Sequence, residues 1–474
     1  MKYEVVIGLE THIEQNTKTK MFCSCKNEFG GAPNTHCCEV CTAMPGALPV
    51  INRQAVYNTI KAGLATNCTI SKKFYFDRKG YFYPDLAKAY QISQLYLPIC
   101  QNGHVDFEVG GKQCSIRLNR IHLEEDAGKL VHGMFGETMV DFNRGGVPLM
   151  EIVTEPDFRS VEEVMVYLET VKSVFKAIGV SECRMERGHL RCDVNVSLRP
   201  FGQKEYGKRT EMKNLNSFRA IERAIRYEID RQTKLLDEGK EVVQETLRWD
   251  DELGKNFTMR SKEDSEDYRY FPDPDLLPVS VSDEEIEMLK KEMPILPEAR
   301  KAIYKQKYGF SDYDASQLTK DGAISDFFEK AIECGVEPRE ASNWIQGEIA
   351  KIMNEEMQEE VEIKVSPESF AKLIKMYKAG EIAQASAREV LRKLWQKDED
   401  PAVLVEKLGL KAVSDDSAIR AILEDIIAKN PQAVADYKGG NKKAVAFFVG
   451  QTMKATQGKA NAAVVNKLVA ELLS

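Results

Sequence analysis

The spacing of hydrophobic positions changes repeatedly over about the first 290 residues, between the two-residue period of strands and the 3.6-residue period of helices. The pattern predicts strands at residues 3–9, 113–125 and 189–198, and the alternation is complete in the last of these. Apolar residues three and four positions apart predict helices that begin after the capping residues Asn52, Ser160 and Ser217. Strands separated by helices predict an open sheet with helices packed on it, which is a mixed α/β or α+β architecture.

The pattern becomes helical and poor in strands after about residue 290. Pro297 and Pro367 each stand where a helix is predicted to begin, because proline is well tolerated in the first turn. An acidic break at 397–401 precedes a last helical stretch. We therefore predict three parts, which are an α/β part at 1–292, an all-α part at 293–400 and a small all-α module at 401–474.

Composition places the chain among soluble globular proteins, with 43% hydrophobic and 30% charged residues in 474. No apolar run approaches the roughly 18 residues that a membrane span requires. The eleven cysteines are an odd number, and no basic-then-apolar leader precedes them. These features favour a reduced, cytoplasmic location without a membrane partner.

The net charge of −8 argues against a protein that binds nucleic acid over its whole surface. A local exception occurs at 431–467, which contains one acidic residue and six lysines. This segment is typical either of a phosphate-contacting surface or of a merely solvated helical module.

Four cysteines in two close pairs, Cys23 with Cys25 and Cys38 with Cys41, predict a structural zinc site. Thiolates are soft ligands, and four of them satisfy the tetrahedral coordination of Zn²⁺. His36 and Cys37 lie beside the second pair and are alternative ligands. The competing interpretation is that the four are half-buried reduced cysteines that bind no metal.

A second metal site is predicted from carboxylates and a histidine. In a strand, Glu10 and His12 share one face with Glu14. Glu125 ends an acidic run, and Glu151 follows an apolar stretch. Because Mg²⁺ prefers oxygen ligands, we predict that it is held by Glu10, His12, Glu125 and Glu151, the alternative being solvated acidic surface.

The predicted strand at 189–198 carries Arg191, Asp193 and Asn195 on one face, which is more typical of a cleft floor than of solvated surface. The chain has neither a phosphate-binding P-loop nor a G-x-G-x-x-G motif. Any nucleotide must therefore be held by a metal and by side chains on a sheet. The chain also lacks adjacent serines, which excludes a Ser–Ser–Lys amidase.

Eight ordered motifs resemble the B subunit of the bacterial tRNA-dependent amidotransferases, the GatB/GatE family. They lie at residues 8–14 (GLETHIE), 45–49 (PGALP, after the paired cysteines), 77–85 (DRKGYFYPD), 90–94 (YQISQ), 122–129 (HLEEDAGK), 191–197 (RCDVNVS), 213–218 (KNLNSF) and 267–272 (DYRYFP). The end of the chain, at 440–444 and 449–461, resembles the tail module of that family.

The resemblance implies a cradle domain with a glutamine-synthetase-like sheet, followed by a helical domain and a tRNA-binding tail. It implies that ATP phosphorylates the side-chain carboxylate of Glu-tRNA(Gln) or Asp-tRNA(Asn), and that ammonia then displaces phosphate. Ammonia would come from a partner amidase, the A subunit, with a small C subunit in the same heterotrimer. The sequence does not choose between the two mischarged tRNAs.

The resemblance also assigns roles to individual residues of this chain. Catalytic roles fall to His12, Lys79, Glu125, Glu151 and Asp193. Nucleotide contacts fall to Arg144, Arg191 and Asn195. Contacts to tRNA fall to Lys438, Lys442, Lys443, Lys454 and Lys459.

Two rival functions belong to other classes. A non-enzymatic RNA-binding scaffold would use the lysine-rich tail and the cysteine pairs, but it has no need of converging acids, which repel phosphate. A free-standing ligase of a small carboxylate and an amine would need the acids, but it has no use for a long helical arm that ends in lysines.

Overall fold

The computed structural model describes residues 2–261, 267–358, 361–412, 416–438, 443–456, 460 and 462–473. The chain divides into two compact units, Met1–Leu296 and Pro297–Ser474. The first unit mixes strands and helices, and the second is helical. The predicted change from a mixed α/β region with a large sheet to a helical region is therefore confirmed.

The strands of the first unit are, in chain order, β1 (Tyr3–Glu14), β2 (Thr69–Ile70), β3 (Lys73–Phe74), β4 (Asp77–Gly80), β5 (Tyr90–Ser93), β6 (Cys100–Val109), β7 (Lys112–Glu125), β8 (Lys129–His132), β9 (Thr138–Asp141), β10 (Pro148–Thr154), β11 (Leu190–Pro200), β12 (Thr210–Lys213), β13 (Glu245–Asp250), β14 (Lys255–Ser261), β15 (Phe271–Pro272) and β16 (Val279–Ser280). Among the described residues, nine of them form one sheet in the order β14-β13-β12-β11-β1-β10-β7-β6-β2. Its neighbours pair antiparallel, apart from the parallel pair of β12 and β13. Smaller sheets are β15-β4-β5, β16-β3 and the hairpin β8-β9.

The helices of the first unit are α1 (Arg53–Ala65), α2 (Val161–Ala177), α3 (Phe218–Asp237) and α4 (Asp283–Lys291), with a 3₁₀ turn at Met185–Arg187. Those of the second unit are α5 (Pro297–Tyr308), α6 (Asp312–Thr319), α7 (Gly322–Glu333), α8 (Pro338–Trp344), α9 (Ala350–Glu355), α10 (Pro367–Lys378), α11 (Gln384–Gln396), α12 (Pro401–Lys407), α13 (Asp416–Lys429), α14 (Pro431–Lys438), α15 (Lys443–Ala455) and α16 (Ala462–Leu473). A π-helical stretch, Ile345–Ile349, joins α8 to α9. None of the described helices is both long enough and apolar enough to cross a membrane.

The capping residues begin the helices as predicted. The Asn52 side chain accepts hydrogen bonds from the backbone N–H groups of the first turn of α1. Ser160 and Ser217 do the same for α2 and α3. Each cap satisfies N–H groups that have no partner within the helix, which fixes where the helix starts.

The alternation along β1 separates an apolar face of the sheet from a polar one. Ile7, Leu9 and Ile13 are buried in one core together with apolar residues of α1, α2 and α3. The strand is longer than the predicted 3–9, because the alternation continues through Glu14 although its outer members are charged. With helices on one face, the polar side chains of β1 lie on the other.

The described residues of the second unit form two hydrophobic cores. The first runs from Tyr304 to Leu410, and the second from Ile419 to Leu473. Helix α12 contributes Leu404 and Val405 to the first core. The boundaries at 292/293 and 400/401 stay predictions, and the compact units of the structure meet after residue 296.

Replacing Leu168 of α2 by alanine should lower the free energy of unfolding by about 2–5 kcal/mol, because the fully buried side chain would leave a cavity against the sheet. Leu253→Ala, at an exposed position, should change it by less than about 0.5 kcal/mol. Urea unfolding of the full chain, followed by circular dichroism, measures both. Equal effects would contradict the placement of this core.

Candidate functional site

A transverse row of polar side chains crosses the open face of the sheet. The antiparallel register places His122 of β7 beside Glu151 of β10, and Glu151 beside His12 of β1. His12 in turn lies beside Arg191 of β11. Directly paired residues project to the same face of a sheet, so these four side chains form a continuous row.

Two histidines and two carboxylates of this face form a compact cluster. His12 Nε2 lies 3.7 Å from Glu124 Oε1 and 3.6 Å from Glu151 Oε2. His122 Nε2 lies 3.2 Å from Glu151 Oε2. One ligand atom from each of His12, Glu124 and Glu151 lies within 4.8 Å of the others, and one cation with bonds of about 2.1 Å spans about 4.2 Å between opposite ligands. The three residues therefore fit a small divalent cation after minor side-chain movement.

The electrostatics show that this cluster attracts positive charge. Burial lowers the pKa of His122, but the charge of Glu151 and hydrogen bonds to both carboxylates outweigh it and raise that pKa to about 9. The pKa of His12 is raised in the same way, mainly by Glu151. The pKa of Glu151 lies well below its usual range because the two imidazoles outweigh its burial. A divalent cation would supply the charge that protons supply here.

Glu125, which the sequence analysis assigns to the magnesium site, does not lie in this cluster. Its carboxylate pairs with Lys88 Nζ at 2.6 Å and accepts the Ile92 backbone N–H at 3.0 Å. Side chains alternate along β7, so Glu124 shares the face of His122 and Glu125 does not. Glu124 therefore takes the predicted place of Glu125. The sequence prediction did not include Glu124 and His122, because a run of three acids at the end of a strand does not show which acid shares the face of the neighbouring strands.

Glu10 of β1 and Asp193 of β11 are paired on the same face of the sheet. They lie two residues along their strands from His12 and Arg191. Glu10 accepts a hydrogen bond from Asn195 Nδ2 at 3.2 Å. Burial, followed by the charges of Glu151 and Glu211, raises the pKa of Glu10. Asp193 pairs with Lys213 of β12, a cation that the sequence analysis did not assign. Glu10 is thus adjacent to the cluster of His12, Glu124 and Glu151 rather than inside it.

Two arginines converge at the other end of the row on the buried carboxylate of Asp126. Arg191 pairs with it through both terminal nitrogens, and Arg144 Nε lies 3.6 Å from Asp126 Oδ2. Arg144 is fixed further by hydrogen bonds to the carbonyls of Ala127 at 3.0 Å and Gly128 at 2.7 Å. Among the described residues, the buried Nε of Arg191 has no acceptor. That donor remains for an anionic ligand, such as a phosphate.

Lys79 of β4 lies among aromatic rings. Its Nζ is 4.8 Å from the ring centroid of Tyr268 and 5.7 Å from that of Tyr81. Within the described part of the chain, no carboxylate lies at ion-pair distance from it. The charge of Glu124, after burial, helps to raise the pKa of Tyr81 and of Tyr270. Tyr81 and Tyr270 are thus close enough to the acidic cluster to be affected by its charge, and the catalytic role of Lys79 stays a prediction.

The four predicted cysteines lie together. Cys41 Sγ is 3.7 Å from each of the other three sulfurs, those of Cys23, Cys25 and Cys38. Metal–sulfur bonds of about 2.3 Å in a tetrahedron place the sulfurs about 3.8 Å apart, so the group fits Zn²⁺. Cys37 is turned away, with its thiol toward the carbonyl of Asn34.

The thiol of Cys41 is more acidic than those of Cys23 and Cys25. Hydrogen bonds from Cys23 and from the Cys38 backbone, with the charge of Lys20, lower its pKa to about 4 despite burial. Burial raises the pKa of Cys25 to about 12, and the hydrogen bond to Cys41 together with burial raises the pKa of Cys23. Metal binding would have to remove the protons of Cys23 and Cys25.

Comparison with protein families agrees with these motifs. Residues 5–287 match the family model described as the GatB/GatE catalytic domain, and residues 326–473 match that of the GatB domain.

This chain belongs to the GatB/GatE family.

Its similar relatives include three proteins that are each named as the B subunit of aspartyl/glutamyl-tRNA(Asn/Gln) amidotransferase. That of Lachnoclostridium phytofermentans is 51% identical over 100% of this chain and 99% of its own length. That of Lachnospira eligens is 52% identical over 99% of both chains. That of Caldicellulosiruptor saccharolyticus is 52% identical over 100% of this chain and 99% of its own. The resemblance drawn from the motifs is confirmed over the full length.

The lysines predicted to contact tRNA fall in the GatB domain of the family. Lys454 is exposed on α15. Lys438 and Lys443 stand at the ends of α14 and α15, and their side chains lie outside the described part of the structure. Lys442 and Lys459 lie outside the described residues altogether. The contact with tRNA stays a prediction.

Glu124→Gln should weaken Mn²⁺ binding to the acidic cluster of this GatB/GatE chain by at least about 10-fold, because it removes a charged ligand while keeping its size. Glu125→Gln should change it by less than about 2-fold, since Glu125 pairs with Lys88 instead. Electron paramagnetic resonance titration of the full chain with Mn²⁺ separates the two. The opposite ranking would return the ligand role to Glu125.

Proposed function

We propose that this chain activates the side-chain carboxylate of glutamate or aspartate that is attached to tRNA(Gln) or tRNA(Asn). One carboxylate oxygen attacks the terminal phosphorus of ATP, which forms an acyl phosphate and releases ADP. Ammonia then attacks the acyl carbon and phosphate leaves, so that an amide and inorganic phosphate result. A free carboxylate is a poor electrophile, and the phosphoryl group makes its oxygen a good leaving group.

The observation that carries this proposal is the position of the acid–imidazole cluster between two cavities. One cavity, of about 450 Å³, is lined by Glu10 and Asn195. The other, of about 570 Å³, is lined by Glu14 and Arg144. Glu10 and Glu14 stand on the same face of β1, and His12 lies midway between them. Two ligands bound in the cavities would meet at His12.

We assign ATP to the cavity beside Glu10. Lys208 and Arg209 line it as well, and they offer positive charge to phosphate oxygens. Asn195 would position the nucleotide through its side-chain amide, as predicted. The absence of a P-loop fits this arrangement, because the sheet face and its side chains replace backbone N–H groups as the phosphate site.

We assign the aminoacylated end of tRNA to the cavity beside Glu14. Phe29 at its rim is exposed, and the Arg187 guanidinium lies 5.6 Å from the ring centroid. Exposed aromatic and guanidinium planes suit the stacking of unpaired bases. Arg144 lines this cavity and Arg191 lies beside His12, so these two residues, which the resemblance assigns to the nucleotide, would contact the transferred phosphate rather than the rest of ATP.

Mg²⁺ is assigned to His12, Glu124 and Glu151, with Glu10 and Asp193 nearby. When bound, it would offset negative charge on the phosphate oxygens of ATP. Glu151 holds His12 and His122 in place, and Asp126 holds Arg191 and Arg144. The two histidines and the two arginines are thus oriented by carboxylates before the ligands bind.

The remaining parts of the proposal concern partners and the second metal. The chain lacks a serine amidase motif, so ammonia would come from a partner amidase, the A subunit, in a complex with a small C subunit. The four cysteines would hold a structural Zn²⁺, for which their spacing is suited. The cytoplasm is the proposed location, since free thiols and mischarged tRNA both belong there.

Glu151→Gln should lower the ATP-dependent formation of amidated tRNA by at least about 100-fold, because it removes both a metal ligand and the partner of two imidazoles. The assay uses the heterotrimer with its A and C partners, ammonium chloride, ATP, and Glu-tRNA(Gln) or Asp-tRNA(Asn). Glu108→Gln, an exposed carboxylate on β6, is the matched control. Undiminished ADP release by Glu151→Gln would show that the site is misassigned, and a wild-type complex that amidates neither tRNA would refute the function.

Lys454→Glu should weaken tRNA binding about 3-fold or more and lower the slope of affinity against salt by about one, because one phosphate contact is lost. Lys393→Glu, an equally exposed lysine on α11, should leave both unchanged. Filter binding of mischarged tRNA at several salt concentrations measures the slope. If both variants weaken binding alike, the effect is one of overall charge, and Lys454 makes no specific contact.

A further inference from the structure

Lys20 is a fully buried lysine at the base of the four-cysteine cluster. Its ammonium donates a hydrogen bond to the Phe142 carbonyl at 3.0 Å and lies 3.7 Å from Cys41 Sγ. Among the described residues, no carboxylate lies within ion-pair distance of it. A buried ammonium is costly unless an opposite charge lies close by, so the usual kind of partner is missing here.

The cysteine cluster is the remaining source of negative charge. Without a metal, the cluster offers Lys20 the Cys41 sulfur alone, at 3.7 Å, whereas four thiolates around Zn²⁺ carry a formal net charge of about −2. A metal-loaded cluster therefore compensates the charge of the buried ammonium more fully than an empty one.

We propose that Lys20 is the internal counter-ion of the zinc-loaded cysteine cluster and that it ties this cluster to the turn that carries Arg144. The proposal rests on the zinc occupancy proposed above. It makes Lys20 a positioning residue, since it lies away from the acid–imidazole cluster and acts on Arg144 through the backbone.

The tie to the turn runs through adjacent backbone contacts. Beyond the bond from Lys20 to the Phe142 carbonyl, the Met21 N–H donates to the Gly146 carbonyl at 2.8 Å. The Lys20 stem packs against Gly146, where an added Cβ would lie 3.6 Å from Lys20 Cδ. Gly146 N–H in turn donates to the Asp126 carbonyl at 2.8 Å. The turn at 142–146 is therefore bonded at both ends to the segment that carries Lys20. Its second end is also bonded to Asp126, which orients the two arginines.

A second set of bonds fixes the same turn to the loop between the cysteine pairs. The Asn34 side chain donates to the Val140 carbonyl at 2.9 Å and accepts the Phe142 N–H at 2.8 Å. The His36 N–H donates to Asn143 Oδ1 at 2.8 Å. Loss of the metal would free this loop and the Lys20 contact together, and the turn at 142–146 would lose order.

The test compares Lys20→Met with Lys18→Met, an exposed lysine on the same segment, in the zinc-loaded full chain. The rate of zinc transfer to a chromophoric chelator should rise at least about 10-fold in Lys20→Met, as expected for loss of a group that stabilises the ligands. In Lys18→Met it should stay within about 2-fold. An unchanged rate in Lys20→Met would overturn the counter-ion role.

Thermal melting with and without zinc separates charge compensation from packing. In the zinc-loaded chain, Lys20→Met should melt below wild type, because the thiolates lose their counter-ion. In the zinc-free chain the drop should be absent or much smaller, because less negative charge faces Lys20 there. An equal drop in both forms would show a packing role only and would overturn the proposal.

Two further measurements cover the remaining outcomes. If Lys20→Met does not fold, Lys20→Gln, which keeps a hydrogen-bond donor, takes its place in both assays. If neither variant folds, wild type alone is used. Zinc removal should then speed amide hydrogen exchange at 142–147 at least about 10-fold more than in β1. An equal change in exchange at 142–147 and in β1 would overturn the proposal. If purified wild-type protein contains no zinc, the zinc assignment itself is refuted. If it contains zinc but the Lys20 variants behave like wild type, only this inference is refuted.

Discussion

The structure of the first unit depends on the one-sided burial of its large sheet. Helices α1, α2 and α3 cover one face, so every second side chain of the central strands must be apolar. The charged side chains of β1 are then forced onto the other face together. A shift of the pairing by one residue would bury Glu10, His12 and Glu14 under the helices, so the register of the site is fixed by the core.

The acids on this face repel one another, and cationic side chains from other segments of the unit compensate their charge. Glu151 is held between two histidines, Asp126 between two arginines, and Asp193 by Lys213. These pairs join β1 and its neighbours across the sheet and orient their side chains. Under the proposed function, the same arrangement would hold a metal ion at the histidine–carboxylate cluster and phosphate at the arginines.

The sequence predicts what depends on local spacing. The period of two identifies the polar faces of β1 and β11, and the spacing of the cysteines identifies their cluster. It does not identify Glu124 in place of Glu125, because three consecutive acids at the end of a strand give no unique face. Nor does it identify Lys213 or Asp126, whose partners lie on strands that are distant in sequence. Those pairs follow from strand order, which a single sequence does not encode locally.

The two candidate metal sites differ in a way that separates their metals. The cysteine cluster offers four soft sulfurs, whereas the acid–imidazole cluster offers two carboxylates and a histidine. Zinc binds nitrogen and oxygen ligands more tightly than magnesium does, so the acidic cluster alone would not exclude it. A thiolate site would bind zinc more strongly still, so one equivalent of zinc per chain would fill the cysteines first and leave the oxygen-rich cluster to the abundant Mg²⁺. In the proposed arrangement, zinc at the cysteines would stabilise the turn that carries Arg144, and Mg²⁺ at the acid–imidazole cluster would serve the chemistry.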